Sequence, residues 1–185
     1  MDQCGAAAPD LCIGASTGAV MEKSATNPAF VADSSLGRLA KQLRLAGFDT
    51  LIDPHPPNAD RLSRLSGPNR IVLTRSTKVR RALVSQPLMF IDHDQPLAQA
   101  RQVMAQLHIK RRDLHPFTRC IQCNQLLVGL MREEAFGRVP EYVWQQHRVF
   151  KTCAQCRRIY WPGSHTQRWL ERMTSWFESS HELGT

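Results

Sequence analysis

Long hydrophobic runs are missing from this 185-residue sequence, in which no wholly apolar stretch exceeds five residues. A membrane-spanning helix needs ~20, so a membrane protein is excluded. The first 20 residues hold no Lys or Arg, and Asp10 interrupts their apolar stretch. A secretory signal is therefore not expected. Acidic side chains are scarce, 16 against 24 Lys and Arg, which gives a formal charge of +8 and a pI near 9.6. That balance excludes a disordered acidic chain, and 42% apolar residues suffice for a folded core. The length suits one globular domain plus a small appended module.

The positive charge is unevenly placed. Residues 1–100 carry 11 basic and 9 acidic side chains, whereas residues 101–176 carry 13 and 5. A polyanion, nucleic acid first among them, fits this basic half; a solubilising surface fits it equally.

Residues 1–27 are rich in Gly, Ala, Ser and Thr without periodicity and read as a disordered or poorly ordered tail, in which Cys4 and Cys12 are given no role. From residue 28 to 109, strand and helix patterns alternate. Ala29-Phe30-Val31-Ala32 reads as a buried strand ending at Asp33, followed by a helix with Leu36, Leu39, Ala40, Leu43 and Ala46 on one face. Further strands are expected at Phe48–Ile52, Ile71–Thr74 and Leu88–Ile91, with Asn58 or Asp60 capping a short helix and another helix over 95–107. Such alternation predicts an α/β fold, a parallel sheet flanked by helices on both faces. Residues 108–117 read as a basic linker. A second module is expected over 118–177, closing with a helix whose apolar face includes Trp169, Leu170 and Met173.

That second module holds Cys120, Cys123, Cys153 and Cys156, two CxxC pairs separated by 29 residues. Without an export signal such spacing favours metal over disulfide, and places the protein in a reducing cytoplasm. Each pair is followed by strand-like sequence, Leu126-Leu127-Val128 and Arg158-Ile159-Tyr160-Trp161, the layout of a zinc ribbon. Four thiolates suit structural Zn²⁺ with no open coordination position; the spacing alone does not exclude iron. Free cysteines or a redox pair are the alternatives.

Asp33 and Asp53 end expected strands, Asp60 opens a helix, and Asp92 and Asp94 follow the fourth strand. Open α/β sheets build their sites at the carboxyl ends of strands. Carboxylates gathered there could hold Mg²⁺ or Mn²⁺ for phosphodiester hydrolysis, and could equally serve as helix caps. Arg38, Lys41 and Arg44 are expected on the exposed face of the first helix, and Arg75, Lys78, Arg80 and Arg81 follow the third strand. Phosphate contact or a solvated surface accounts for either group. Tyr160 and Trp161 can stack on bases, or pack the ribbon against the last helix.

The stretch FVADSSLGRLAKQLRLAGFDT resembles the opening of the ribonuclease domain found at the C-terminus of Mut-seven type exonucleases and in stand-alone bacterial proteins, of the form F-x-A-D-x-M-L-G-x-L-A-x-x-L-R-x-L-G-F-D. The likeness runs on through RIVLTRS, RCIQCN, Val139-Pro140, CAQC and IYWPGSH, over residues 29–173. It implies a PIN-like nuclease fold with a zinc ribbon and metal-dependent ribonuclease activity, with RNA as the partner. By position, Asp33 matches the family's first acidic residue and Asp60 matches one near the start of the second helix. Asp92 and Asp94 stand where a further ligand would come from. Ser76 stands where the family has an Asp after the L-T-R triplet, and Ser35 replaces the Met of the opening motif. The expected function is a metal-dependent ribonuclease. The alternatives are a non-catalytic RNA-binding zinc-ribbon protein and a zinc-stabilised protein-interaction domain.

Overall fold

A computed structural model describes residues 27–179. The expected tail with Cys4 and Cys12 lies outside the described residues. Four strands, β1 (Ala29–Ala32), β2 (Thr50–Ile52), β3 (Arg70–Thr74) and β4 (Leu88–Phe90), form an all-parallel sheet in the order β2-β1-β3-β4. Between them run α1 (Gly37–Leu45), α2 (Ala59–Ser66) and α3 (Thr77–Ala82), and α4 (Pro96–Gln106) follows. The expected parallel sheet flanked by helices is the observed architecture.

Strand periodicity decides which helix covers which face. Side chains alternate across a sheet with period two. Phe30, Ala32 and Leu73 therefore join Leu39, Leu43, Val103 and Met104 of α1 and α4 in one core, while Val31 and Val72 join Leu62 of α2 and Val79 of α3 in another. Phe30 and Phe48 meet edge to face at 5.9 Å within the larger core. Full burial of such side chains contributes about 1.5–3 kcal/mol each. Because β2 and β3 lie on opposite sides of β1, the strand order switches at β1, and the carboxyl ends of β1 and β3 are where open α/β sheets build their sites.

The remaining chain forms a second sheet. Antiparallel β5 (Leu127–Leu130), β6 (Phe150–Cys153) and β7 (Ile159–Tyr160) stand in that order. Two short helices, α5 (Arg132–Ala135) and α6 (Glu141–Gln146), fill the connection from β5 to β6 and were not foreseen. Ala135, Val143 and Phe150 form a small core of their own, with Trp144 and Trp161 packed against it. The last helix, α7 (Ser164–Ser179), instead sends Trp169 and Met173 into the α1–α4 core. Trp161 thus packs within the ribbon rather than joining it to that helix. No described helix is long and apolar enough to cross a membrane.

Gly47 shows how closely the segment leading to the ribbon passes over the end of α1. Its φ is +101°, and a Cβ there would stand 2.4 Å from the His115 carbonyl oxygen. Only glycine tolerates both conditions, and the His115 amide donates to the Ala46 carbonyl at 2.8 Å alongside it.

Candidate functional site

Asp33 follows β1 and is fully buried. Its Oδ1 accepts from the Ser35 amide at 2.9 Å and the Ser35 hydroxyl at 2.5 Å; its Oδ2 accepts from Thr74 Oγ1 at 2.6 Å and the Arg75 amide at 3.1 Å. An ionised carboxylate offers about four lone-pair positions, so these four donors occupy the whole acceptor set. Two donors come from the end of β3, so Asp33 ties the ends of β1 and β3 together. Thr74 Oγ1 in turn accepts from the Ser76 amide at 3.0 Å, and Ser76 Oγ caps α3 by accepting from the Val79 amide at 3.4 Å.

The other carboxylates predicted for the site, Asp60, Asp92 and Asp94, are exposed. Asp60 lies on the exposed first turn of α2. Asp94 is exposed and paired with Arg75. Asp92 is also exposed and accepts from Gln102 Nε2 at 3.1 Å. Among the described residues, no three of these carboxylates have oxygens within 4.8 Å of one another. As it stands, the acceptor positions of Asp33 are taken up by protein donors, and the Ser76 hydroxyl is used as a cap.

Asp53, one of the carboxylates expected at the strand ends, is the second buried carboxylate of this edge. Register places it beside Asp33, since Ala32 pairs with Ile52. Burial works against its ionisation. Hydrogen bonds from Arg61 Nε at 2.8 Å and from the His55 ring and amide outweigh this and hold the carboxyl below its ordinary range. The signal available in the sequence was its position directly after a strand.

The basic residues divide by face. Arg38 is exposed on α1; Lys78, Arg80 and Arg81 are exposed on α3 across the sheet, with Arg80 over the Phe90 ring at 5.1 Å. Arg44, expected at the surface, is buried instead. At 100° per residue it sits 120° around α1 from Arg38, on the flank that the ribbon covers. Its guanidinium donates to the carbonyls of Thr50 at 2.8 Å, Ile121 at 3.0 Å and Gln122 at 2.8 Å. Asn124 completes the joint, accepting from the Thr50 amide at 3.0 Å and donating to Asp49 at 2.7 Å. The first cysteine pair is thereby held at the amino edge of the sheet, opposite Asp33.

The four cysteines converge, with all Sγ atoms within 4.8 Å of one another and Cys120 Sγ 3.6 Å from Cys156 Sγ. A tetrahedral zinc with Zn–S of ~2.3 Å requires S···S of about 3.8 Å. The two turns are copies. The amides of Asn124 and Arg157, both at positive φ, donate to the carbonyls of Cys120 and Cys153 at 2.9 and 2.8 Å. Burial resists ionisation of Cys120, but hydrogen bonds from the Tyr160 hydroxyl at 3.0 Å and from the Cys123 and Gln122 amides pull its thiol down to about 6. Burial and the neighbouring sulfurs push Cys123 up to about 12. Four thiolates at this spacing need a cation to share, and the donor set fits a metal such as zinc.

A sequence model of the Mut7-C RNAse domain matches residues 28–173. The chain belongs to the Mut7-C RNAse domain family. The match spans both the parallel sheet and the cysteine cluster, so the RNAse domain here includes the ribbon. No curated protein and no solved structure matches the chain. The RNAse assignment supports a nuclease-like function; the Asp33 carboxylate is met by the hydroxyls of Ser35 and Thr74.

Proposed function

We propose that this protein is an RNA-binding member of the RNAse domain family whose carboxyl edge is closed by hydrogen bonds rather than by a divalent cation. The reading rests on Asp33. Its acceptor set is filled by Ser35, Thr74 and Arg75, and Ser76, where the resemblance implies a carboxylate, spends its hydroxyl on capping α3. What remains is a basic surface around the edge. Arg38, Lys78 and Arg81 are exposed and can meet backbone phosphates, and zinc at Cys120, Cys123, Cys153 and Cys156 acts only to hold the ribbon.

A second reading, a metal-dependent ribonuclease hydrolysing RNA phosphodiester bonds with Mg²⁺ or Mn²⁺, is favoured by the family match and by Asp92 and Asp94 standing exposed at the same edge. It requires the hydrogen bonds to Asp33 to open.

The test is binding of labelled single-stranded RNA across a NaCl series, with and without Mn²⁺. The expected result is log-linear weakening with salt, by about 0.7 decades per decade of salt for each phosphate contacted, and a Kd that Mn²⁺ leaves unchanged. Absence of binding at low salt would overturn the RNA reading in favour of a protein-interaction module. Tightening by Mn²⁺ would favour the second reading.

A further inference from the structure

A cleft of about 380 Å³ lies between α1 and the ribbon, lined by Lys41, Ile121, Gln122, Arg158, Ile159 and Tyr160. Its chemistry is two-sided. Lys41 and Arg158 are exposed cations, and among the described residues neither side chain has a hydrogen-bond or ion-pair partner. The Arg44 guanidinium, tied to the carbonyls of Ile121 and Gln122, lies beneath the cleft wall as a fixed third charge. No acidic residue lines the space. Ile121, Ile159 and the Tyr160 ring supply apolar surface between the cations. Arg38 precedes Lys41 by three residues on α1, a rise of ~4.5 Å toward the carboxyl edge.

Unpaired cations flanking an apolar wall suit a chain that alternates phosphates with flat, weakly polar groups. We propose that this cleft is a groove for single-stranded RNA, with Lys41 and Arg158 taking consecutive backbone phosphates and Ile121, Ile159 and Tyr160 packing against a base or ribose. Arg38 extends the track toward Asp33. The proposal rests on the RNA-binding reading and names where on the molecule that binding occurs. It also gives the ribbon a part in recognition, since Arg158 follows the second cysteine pair and is fixed only when the ribbon is folded. A competing role for the same cations is to balance the thiolates. Four thiolates on Zn²⁺ leave a formal charge of −2, and Arg44, Arg157 and Arg158 stand close to it in sequence or space.

The experiment compares zinc-loaded wild type with Lys41→Gln/Arg158→Gln and with Arg64→Gln, an exposed neutralisation on α2 across the sheet. Labelled single-stranded RNA is titrated from 0.05 to 1 M NaCl, and zinc content and Tm are recorded for each protein. The double variant is expected to lose about 1.4 from the salt slope, which amounts to roughly 25-fold weaker binding at 0.1 M against a 1 M reference. Its zinc content and Tm stay at wild-type values, and Arg64→Gln binds as wild type does. If the double variant loses zinc while its RNA affinity and slope stay at wild-type values, the cations serve the metal and the groove is overturned. Equal weakening by Arg64→Gln overturns it too, leaving only net charge. If wild-type protein itself binds no RNA, the RNA reading falls and the groove with it, a result distinct from the other two. Should the double variant fold poorly, the single Lys41→Gln protein, with half the slope change expected, carries the same decision.

Discussion

Asp33 and Asp53 end neighbouring parallel strands, and both are buried, yet their surroundings differ. Asp33 is met by neutral donors from Ser35, Thr74 and the Arg75 amide; Asp53 is met by the Arg61 guanidinium and by His55. A carboxyl held below its unfolded value, 3.8 for Asp53, adds stability that is complete above that pH and is lost as pH falls through the folded value. Asp53→Asn is therefore expected to lower stability at pH 7 by about 1–3 kcal/mol, the range for charge-assisted hydrogen bonds to a buried group. The gap to wild type should narrow as pH falls from 3.8 through the lower folded value, where the Asp53 carboxyl becomes neutral like the amide that replaces it. Urea midpoints for the two proteins at each pH measure this, and taking the difference removes the acid release of zinc common to both. A gap that persists unchanged in acid would mean that packing, not charge, holds Asp53. At this scale the caps were legible. Asn58 and Ser76 each sit just before a helix, and a cap is a local device whose partner lies three residues on. The Thr74–Asp33 bond was not, because its partners are 41 residues apart and meet only through sheet order.

Among the elements, α1 touches both the sheet core and the ribbon. One flank carries Leu39, Ala40 and Leu43 into the core, the outer ridge carries Arg38 and Lys41, and Arg44 on the remaining flank pins the first cysteine pair. Replacing Arg44 by Met keeps most of the stem and leaves the carbonyls of Thr50, Ile121 and Gln122 without their donor. An unpaired buried acceptor costs about 1–3 kcal/mol, so a loss of roughly 3 kcal/mol or more is expected by urea unfolding, with faster release of zinc to a chelator. A loss below about 1 kcal/mol would show that the joint does not depend on Arg44. The main strands and helices were legible because period-two and period-3.6 patterns survive wherever one face is buried. Helices α5 and α6 were not. They are four and six residues long, and each buries one side chain, Ala135 or Val143, too little for a period to register. Arg44 was misjudged for a related reason: the face of a helix that a second module covers is written in that module's sequence, not in its own.

For the molecule as a whole, the parallel sheet and the four-cysteine cluster were both readable, the first from alternation and the second from paired spacing. Their mutual placement was not. The ribbon abuts the amino edge through Asp49, Thr50 and Asn124, while Asp33 stands at the carboxyl edge. The cysteines and Asp33 therefore lie at opposite edges of the sheet. The carboxylate site itself was only half legible: each Asp stood where a site would be built, but whether their oxygens converge is a matter of side-chain partners that no spacing reveals. We propose that Asp33, satisfied by hydrogen bonds from Ser35, Thr74 and Arg75, anchors no cation. The most direct measurement is incubation of zinc-loaded protein with labelled single-stranded RNA and Mn²⁺, beside Asp33→Asn. The RNA is expected to be bound and recovered at full length with both proteins. Cutting by wild type that requires Mn²⁺ and disappears in Asp33→Asn would contradict it and establish the metal-dependent ribonuclease instead.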